Sequence, residues 1–374
     1  MAEDILKMGK EGPKRIIIAG GGTGGHIFPA IAIAKALIKI DDRIEILFIG
    51  AKGKMEMEKV PQAGFNIKGI DIAGYNRSSL IKNFSLPFKL VKSFLQVGKL
   101  VRAFKPDAVV GVGGYSSFPV LRYAQSRHIP VFIHESNAFA GKSNRLLGKK
   151  ATKIFVASEG MEKFFPPEKI LKTGNPVREN ISSMDVGRKE AATFFGLDPS
   201  VKTVFVTGGS LGAKGINEAV AEKVDEFEKN NLQLIWQTGK PFAEKAKNLC
   251  EGKKGIWTAD FINRMDLAYA ACDLVISRSG AMSVAELCMV KKPVVFVPYP
   301  FAAEDHQTAN AENMVKQEAG LMVKDNEAKE KLVATAIGLL KDDVLQKKLV
   351  KHISALAVAD ADKRIAGEIL KSIG

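Results

Sequence analysis

One pattern occurs twice in this 374-residue chain and dictates most of what it can become: a short apolar run, a glycine loop carrying a hydroxyl residue, then an amphipathic stretch. Ile18-Ala19-Gly20-Gly21-Gly22-Thr23-Gly24-Gly25 opens the first half, and Val206-Thr207-Gly208-Gly209-Ser210-Leu211-Gly212-Ala213 opens the second. With Gly22 set against Gly209, Thr23 matches Ser210 and Gly25 matches Gly212, each pair 187 residues apart. Each copy predicts a strand, a tight loop and a helix, the helices over 27–40 and 215–230. Glycines at that point let backbone N–H groups approach an anion at the positive end of a helix. A tight turn without a ligand uses the same residues, so the loops alone leave the ligand open.

Apolar runs at 15–19, 44–49, 108–112, 131–133 and 153–156 read as buried parallel strands, and 204–206, 233–236, 274–276 and 294–297 repeat them. Strands alternating with helices predict an α/β chain with doubly wound sheets. A single core stops growing at roughly 250–300 residues, so two domains are expected. Pro176, in Gly174-Asn175-Pro176-Val177-Arg178, and the polar stretch 179–185 mark the joint. That predicts an N-terminal domain over 1–177 and a C-terminal domain over 178–354, with a last helix at about 355–374 packing back on the first. Two Rossmann-like domains of this kind are expected to face each other across a cleft lined by the carboxyl ends of both sheets.

Charge narrows the partners. The chain carries 55 basic and 41 acidic residues, net +14, which asks for an anionic partner. Between 72 and 105 stand Arg77, Lys82, Lys89, Lys92, Lys99, Arg102 and Lys105 with no acid among them. On a helix over 86–104, Leu90, Val91, Phe94, Val97, Val101 and Phe104 fall on one side and Lys89, Lys92, Lys99 and Arg102 on the other. Leu80, Ile81 and Phe84 are candidates for dipping into a bilayer, with Lys82, Lys89 and Lys92 on anionic headgroups. A packed helix with a solvated basic face is the alternative. Nucleic acid is not expected, because the chain has neither a recognised binding motif nor basic residues interleaved with aromatics. The charged stretch 1–15 is no secretory leader, and 16–34 is broken by five glycines, so neither secretion nor a membrane span is expected. Cys250, Cys272 and Cys288 are too scattered for a disulfide framework or a zinc site and read as reduced cytosolic thiols.

Gly20, Gly22 and Gly25 also satisfy G-x-G-x-x-G, which raises an NAD(P) oxidoreductase. That fold expects an acid after its second strand, where this chain has Phe48-Ile49-Gly50-Ala51-Lys52. An NADP reading through Lys52 survives but leaves the second loop without a purpose.

A larger set of segments is more specific. Gly21-Gly22-Thr23-Gly24-Gly25-His26-Ile27-Phe28-Pro29-Ala30 resembles the glycine loop of the MurG family, transferases that add N-acetylglucosamine to the lipid-linked muramyl pentapeptide of peptidoglycan. The resemblance continues, in order, through Gly111-Val112-Gly113-Gly114-Tyr115, His134-Glu135-Ser136-Asn137, Gly174 to Arg178, Gly208 to Ala213, Phe261-Ile262, Arg278-Ser279-Gly280-Ala281, Glu286 and Gln307-Thr308-Ala309-Asn310. It implies the two-domain GT-B fold and transfer, with inversion, of N-acetylglucosamine from UDP-N-acetylglucosamine to the 4-hydroxyl of undecaprenyl-linked lipid I. Such an enzyme would sit peripherally on the cytoplasmic face of the inner membrane and need no cofactor or metal. A two-domain UDP-sugar enzyme without a lipid acceptor, such as a 2-epimerase, is the nearest alternative.

By the same resemblance, Ser210 and the amides of its loop meet the donor diphosphate, Glu286 accepts the ribose hydroxyls, the Ile262 backbone reads uracil and Arg178 lies nearby. Gln307 and Asn137 would bind sugar hydroxyls, although Asn137 is equally placed to cap a following helix. Glu286 as a solvated helix residue is the plain alternative. Thr23, Gly24 and Gly25 suit the acceptor's diphosphate and count among the donor-side candidates too. His26, at a helix N-terminus where the dipole disfavours its protonated form, suits a neutral general base. It could instead cap the helix or bind phosphate, and His134 with Glu135 forms a second acid/base candidate. The one D-x-D, Asp360-Ala361-Asp362, lies far from every glycine loop.

Overall fold

The structure, a computed structural model, describes residues 12–74, 86–182, 184–302 and 305–374. Leu80, Ile81, Lys82 and Phe84 lie outside the described residues. The chain divides into two compact units, Met1–Ser136 with Ala140–Pro176 and Asp360–Gly374, and Asn137–Phe139 with Val177–Ala359.

The first unit is built on strands β1 (Arg15–Ala19), β2 (Glu45–Ala51), β3 (Asn66–Ile70), β4 (Ala108–Gly111), β5 (Val131–Glu135), β6 (Lys153–Val156) and β7 (Ile170–Lys172). They form one parallel sheet in the order β3-β2-β1-β4-β5-β6-β7. Side chains of β1 alternate between its two faces. Ile17 and Ala19 join the core under the helices Leu86–Phe104 and Ser117–Ser126, while Ile16 and Ile18 join the one under Gly24–Ile40. The last helix, Ala361–Ile373, buries Ile365, Ala366 and Ile369 in that second core, each isoleucine worth about 2 kcal/mol by area. Lys153 pairs with its Glu368. That helix is shorter than expected: Asp343–Ala355 is a separate helix, and Asp360, paired with Arg364, precedes the new start.

The second unit repeats the plan with β8 (Thr203–Thr207), β9 (Gln233–Gln237), β10 (Ile256–Ala259), β11 (Leu274–Ser277), β12 (Val294–Phe296) and β13 (Leu321–Met322). Its parallel sheet runs β10-β9-β8-β11-β12-β13, with Phe205 facing one core and Val204 and Val206 the other. In both sheets the strand leading into the glycine loop is the one where the order reverses, the place where doubly wound sheets bind ligands.

Three expectations change. The stretch 179–185 is not simply a polar linker, because Ile181, 2% exposed, packs into the second unit's core from a short helix, Glu179–Ser182. The helix expected over 215–230 is two pieces, Lys214–Glu222 and Asp225–Lys229. The basic helix Leu86–Phe104 buries Ser93, Val97, Gly98 and Val101, so only part of its apolar side covers the sheet. Gly98 lies against the Tyr123 ring, so the helix seats on small residues and leaves Val91 and Leu95 62% and 67% exposed. Lys92 is not simply a free headgroup cation, since its ammonium sits 3.0 Å from Asp71.

Candidate active site

In the first unit, β1 runs into a glycine loop held by a side chain from another element. Gly22 has φ +88°, a left-handed value that glycine adopts without cost. Glu56, the first residue of the helix Glu56–Gln62 and 1% exposed, fixes the loop from beneath. Its Oε2 accepts from Gly22 N–H at 2.9 Å and its Oε1 from Ala51 N–H at 2.9 Å. A Cβ on Gly21 would collide with this carboxylate. Sequence reasoning missed Glu56. No acid stands at the end of β2; Glu56 lies a few residues further on and turns back onto the loop.

Thr23 takes the position before the helix Gly24–Ile40, with no side-chain cap. The amides of Gly24 and Gly25 open the helix, where no intrahelical carbonyl is within reach. His26 follows, its Nδ1 3.2 Å from the Gly21 carbonyl and 3.3 Å from Thr23 Oγ1. The helix N-terminus thus brings Thr23, Gly24, Gly25 and His26 together, as the sequence predicts.

His134 and Glu135 do not share an acid/base role in this arrangement. Glu135, 4% exposed, accepts from Gly141 N–H at 3.1 Å and Asn144 Nδ2 at 2.9 Å, which ties down the loop after β5. His134 is fully buried, and burial pushes its pKa down to about 4. Because the folded state resists its protonation while the unfolded chain titrates near the usual 6.5, stability is complete above that value. It falls as the pH drops from about 6.5 toward 4, by at most about 3 kcal/mol. Chemical denaturation at pH 7 and pH 4.5 should show this loss, and His134→Phe should flatten it. Asn137, half-buried, lies two residues beyond β5 and does not cap the next helix, since Gly141 holds that position.

In the second unit, Gly209 has φ +83°, matching Gly22 at the aligned position. The equivalence ends at the third glycine: Gly212 is left-handed at +74° and precedes the helix Lys214–Glu222, whereas Gly25 is already helical. Gln237, 3% exposed at the end of β9, holds this loop. Its Nε2 donates to the Gly209 carbonyl at 2.9 Å, and its Oε1 accepts from Ile262 N–H at 2.9 Å. Gln237 therefore links the Ser210 loop to Ile262, and the Ile262 backbone group left for a base edge is its carbonyl. Gln237 was also missed; its only sequence signal is a polar residue closing an apolar strand, Gln233-Leu234-Ile235-Trp236-Gln237.

Thr207 pairs with Ser277 across β8 and β11, so the loops that follow them start side by side. Ser279 Oγ donates to the Gln307 carbonyl at 2.7 Å, and the Gln307 side chain accepts from Tyr299 N–H at 3.0 Å. Gly280 begins the helix Ala281–Val290, whose second turn carries Glu286, 6% exposed. Glu286 is not solvated. Its two oxygens receive Arg178 Nε at 2.7 Å and Nη2 at 2.8 Å. Burial alone would lower the Arg178 pKa, but the charge and hydrogen bonds of Glu286 outweigh it and hold it above the ordinary arginine value. Tyr269, buried against this pair, is pushed well above the usual tyrosine range by burial and by Glu286. Among the described residues no group of three or more His, Cys, Asp or Glu could hold a metal ion.

Two Rossmann-like sheets, each with a glycine loop at its topological switch, make the two-domain GT-B fold. Residues 16–156 match the glycosyltransferase family 28 N-terminal domain and 203–365 its C-terminal domain. The UDP-N-acetylglucosamine–N-acetylmuramyl-(pentapeptide) pyrophosphoryl-undecaprenol N-acetylglucosamine transferase of Parabacteroides distasonis is 49% identical over 361 residues, 96% of this chain and 98% of the relative. The transferase of the same name from Cytophaga hutchinsonii is 45% identical over 366 residues, 98% of this chain and 99% of the relative. The crystal structure of MurG from Acinetobacter baumannii superposes with a TM-score of 0.74 at 28% identity, covering 96% of this chain and 100% of that one. The chain belongs to glycosyltransferase family 28, in its MurG branch.

Proposed function

We infer that the chain transfers N-acetylglucosamine from UDP-N-acetylglucosamine to the 4-hydroxyl of undecaprenyl-pyrophosphoryl-N-acetylmuramyl-pentapeptide, lipid I, forming lipid II for peptidoglycan synthesis. The observation that carries this is identity of 44–49% with transferases of that name over nearly the full chain.

In the second unit, Ser210 and the amides around Gly209 and Gly212 hold the donor diphosphate, Glu286 takes the ribose hydroxyls, and the Ile262 carbonyl meets uracil. Gln307 and Asn137 bind the sugar. Arg178 acts through Glu286, which it orients. In the first unit, Thr23 and the amides of Gly24 and Gly25 hold the acceptor diphosphate, leaving His26 to take the proton of the attacking hydroxyl. The acceptor oxygen forms its bond to the anomeric carbon as the bond to the UDP oxygen breaks, so the configuration inverts. Helix N-terminal donors at the second loop carry the charge that develops on the leaving diphosphate. The sequence pattern that also suited an oxidoreductase has no ribose acid here, since Glu56 serves the loop.

The acceptor is lipid-bound, and no helix among the described residues is long and apolar enough to cross a membrane. The helix Leu86–Phe104 presents Phe88, Val91 and Leu95, 73%, 62% and 67% exposed, amid exposed Lys89, Lys99 and Arg102 and the Asp71-paired Lys92. This face suits peripheral docking on the anionic, cytoplasmic surface of the inner membrane, each cation adding on the order of 1 kcal/mol. The test is transfer of labelled N-acetylglucosamine to lipid I in anionic vesicles and to a water-soluble lipid I analogue. Wild type should use both. A Phe88→Ser/Val91→Ser/Leu95→Ser variant should lose about tenfold on vesicles, roughly 1.4 kcal/mol, and nothing on the soluble acceptor. Failure of wild type to use either acceptor would sink the assignment.

A further inference from the structure

The peptide bond between Gly21 and Gly22 is engaged on both sides by side chains. Its N–H donates to Glu56 Oε2 at 2.9 Å, and its carbonyl oxygen lies 3.2 Å from His26 Nδ1. A carbonyl only accepts, so this second contact is a hydrogen bond when Nδ1 carries the proton. Thr23 Oγ1, 3.3 Å from the same nitrogen, is able to accept from it as well. A neutral imidazole protonated at Nδ1 has its lone pair on Nε2. That nitrogen faces Gly113, where a Cβ would stand 2.9 Å from it.

Nothing local fixes the orientation of this peptide. Both of its residues are glycines at positive φ, +153° and +88°, and neither has a Cβ to make one orientation costlier than the reverse. A flip would point the Gly21 carbonyl at the buried Glu56 carboxylate and remove the acceptor from His26. Glu56 forbids this, and it is itself held by the Ala51 amide at the end of β2. A carboxylate on the N–H side of a peptide also polarises the carbonyl on the other side, which strengthens that carbonyl as an acceptor.

We infer that Glu56 is a positioning residue for His26: through the Gly21–Gly22 peptide it holds the imidazole in the Nδ1–H tautomer and assigns Nε2 to receive the proton of the acceptor hydroxyl. The inference rests on the reading of His26 as the base. When Nε2 takes that proton, the imidazolium keeps its Nδ1–H on a carbonyl whose partner N–H is bonded to a carboxylate. Glu56 thus acts on the ring as a carboxylate beside a histidine does, with one peptide group interposed. It touches neither substrate.

The test is ring nitrogen NMR on the full chain labelled with 15N-histidine, the His26 signals being identified by their loss in His26→Gln. Wild type should show His26 protonated at Nδ1. In Glu56→Gln, whose side chain can accept from only one of the two amides and sets an NH2 against the other, the signals should shift toward a mixture of tautomers. The kcat for transfer should fall about tenfold, with KM for UDP-N-acetylglucosamine within twofold. A merely structural Glu56 would lower the melting temperature and leave the tautomer unchanged, so an unaltered His26 spectrum in folded Glu56→Gln overturns the coupling. Should that variant not fold, the wild-type spectrum decides, because an Nε2–H tautomer there overturns it equally. Normal turnover in His26→Gln would remove the base reading while leaving the coupling to the tautomer result.

Discussion

His26→Ala is expected to lower kcat for transfer by about 10²–10⁴-fold, the usual contribution of a positioned general base. Binding of UDP-N-acetylglucosamine should be unchanged, since Ser210, Ile262, Glu286 and Gln307, the residues proposed to hold the donor with Asn137, lie on the other sheet and its loops. The split between parameters identifies the role. A base acts only as the hydroxyl attacks, so its loss appears in kcat and leaves donor affinity alone. A histidine that only bound the acceptor's diphosphate would raise KM for lipid I and spare kcat at saturation. One that only capped its helix would lower the melting temperature and spare both. Steady-state kinetics with each substrate varied, beside isothermal titration with UDP, separates the three. Near-normal kcat in the variant would return the base to an unassigned group.

The placement of His26 at a helix N-terminus was legible in the sequence because its neighbours are glycines at a strand–helix junction, where backbone geometry restricts the possibilities. The strands show the same principle and its limit. The nine apolar runs correspond to nine strands, all interior to their sheets, while the four strands without such a run, β3, β7, β10 and β13, are the four edges. An interior parallel strand is covered on both faces and must be apolar throughout. An edge strand is half-open and short: Asn66-Ile67-Lys68-Gly69 alternates exposed and half-buried positions before the buried Ile70, and β13 has two residues. Their sequences therefore carry no continuous apolar signal.

Within the candidate sites, residues whose placement depends on local backbone were readable, and those placed by long-range contact were not. Glu56 looks like any first-turn helix acid until its helix folds back beneath the glycine loop, 34 residues upstream in the chain. Gln237 joins a loop 28 residues before it to a backbone amide 25 residues after it, a geometry that no spacing encodes. The basic helix shows a third case. Which part of its apolar side covers the sheet is not written in the periodicity: Leu86–Phe104 seats on Ser93 and Gly98 beside Val97 and Val101, which leaves Val91 and Leu95 outside.

Glu286 carries the second large effect, and a single substitution there would mislead. Glu286→Ala should weaken UDP-N-acetylglucosamine binding by about 10²-fold or more, as one carboxylate accepting two ribose hydroxyls contributes roughly 1.5–3 kcal/mol per charged hydrogen bond. The same change leaves the Arg178 guanidinium, its side chain 21% exposed, without the carboxylate it grips at 2.7 Å. Stranding one member of a buried pair costs about 3–5 kcal/mol of stability, so lost binding could reflect a collapsed pocket. The double variant Arg178→Met/Glu286→Leu resolves this by removing both charges and refilling the space with apolar side chains, an exchange that is often neutral for folding. It should recover most of the stability lost by Glu286→Ala and none of the donor affinity. Arg178→Met alone should destabilise the fold and impair binding less than Glu286→Ala, because on the proposed reading Arg178 only orients the carboxylate that takes the ribose hydroxyls. Thermal unfolding gives the stabilities and titration with UDP-N-acetylglucosamine the affinities. If the double variant binds the donor as wild type does, Glu286 exists to neutralise Arg178, and the ribose hydroxyls are held elsewhere.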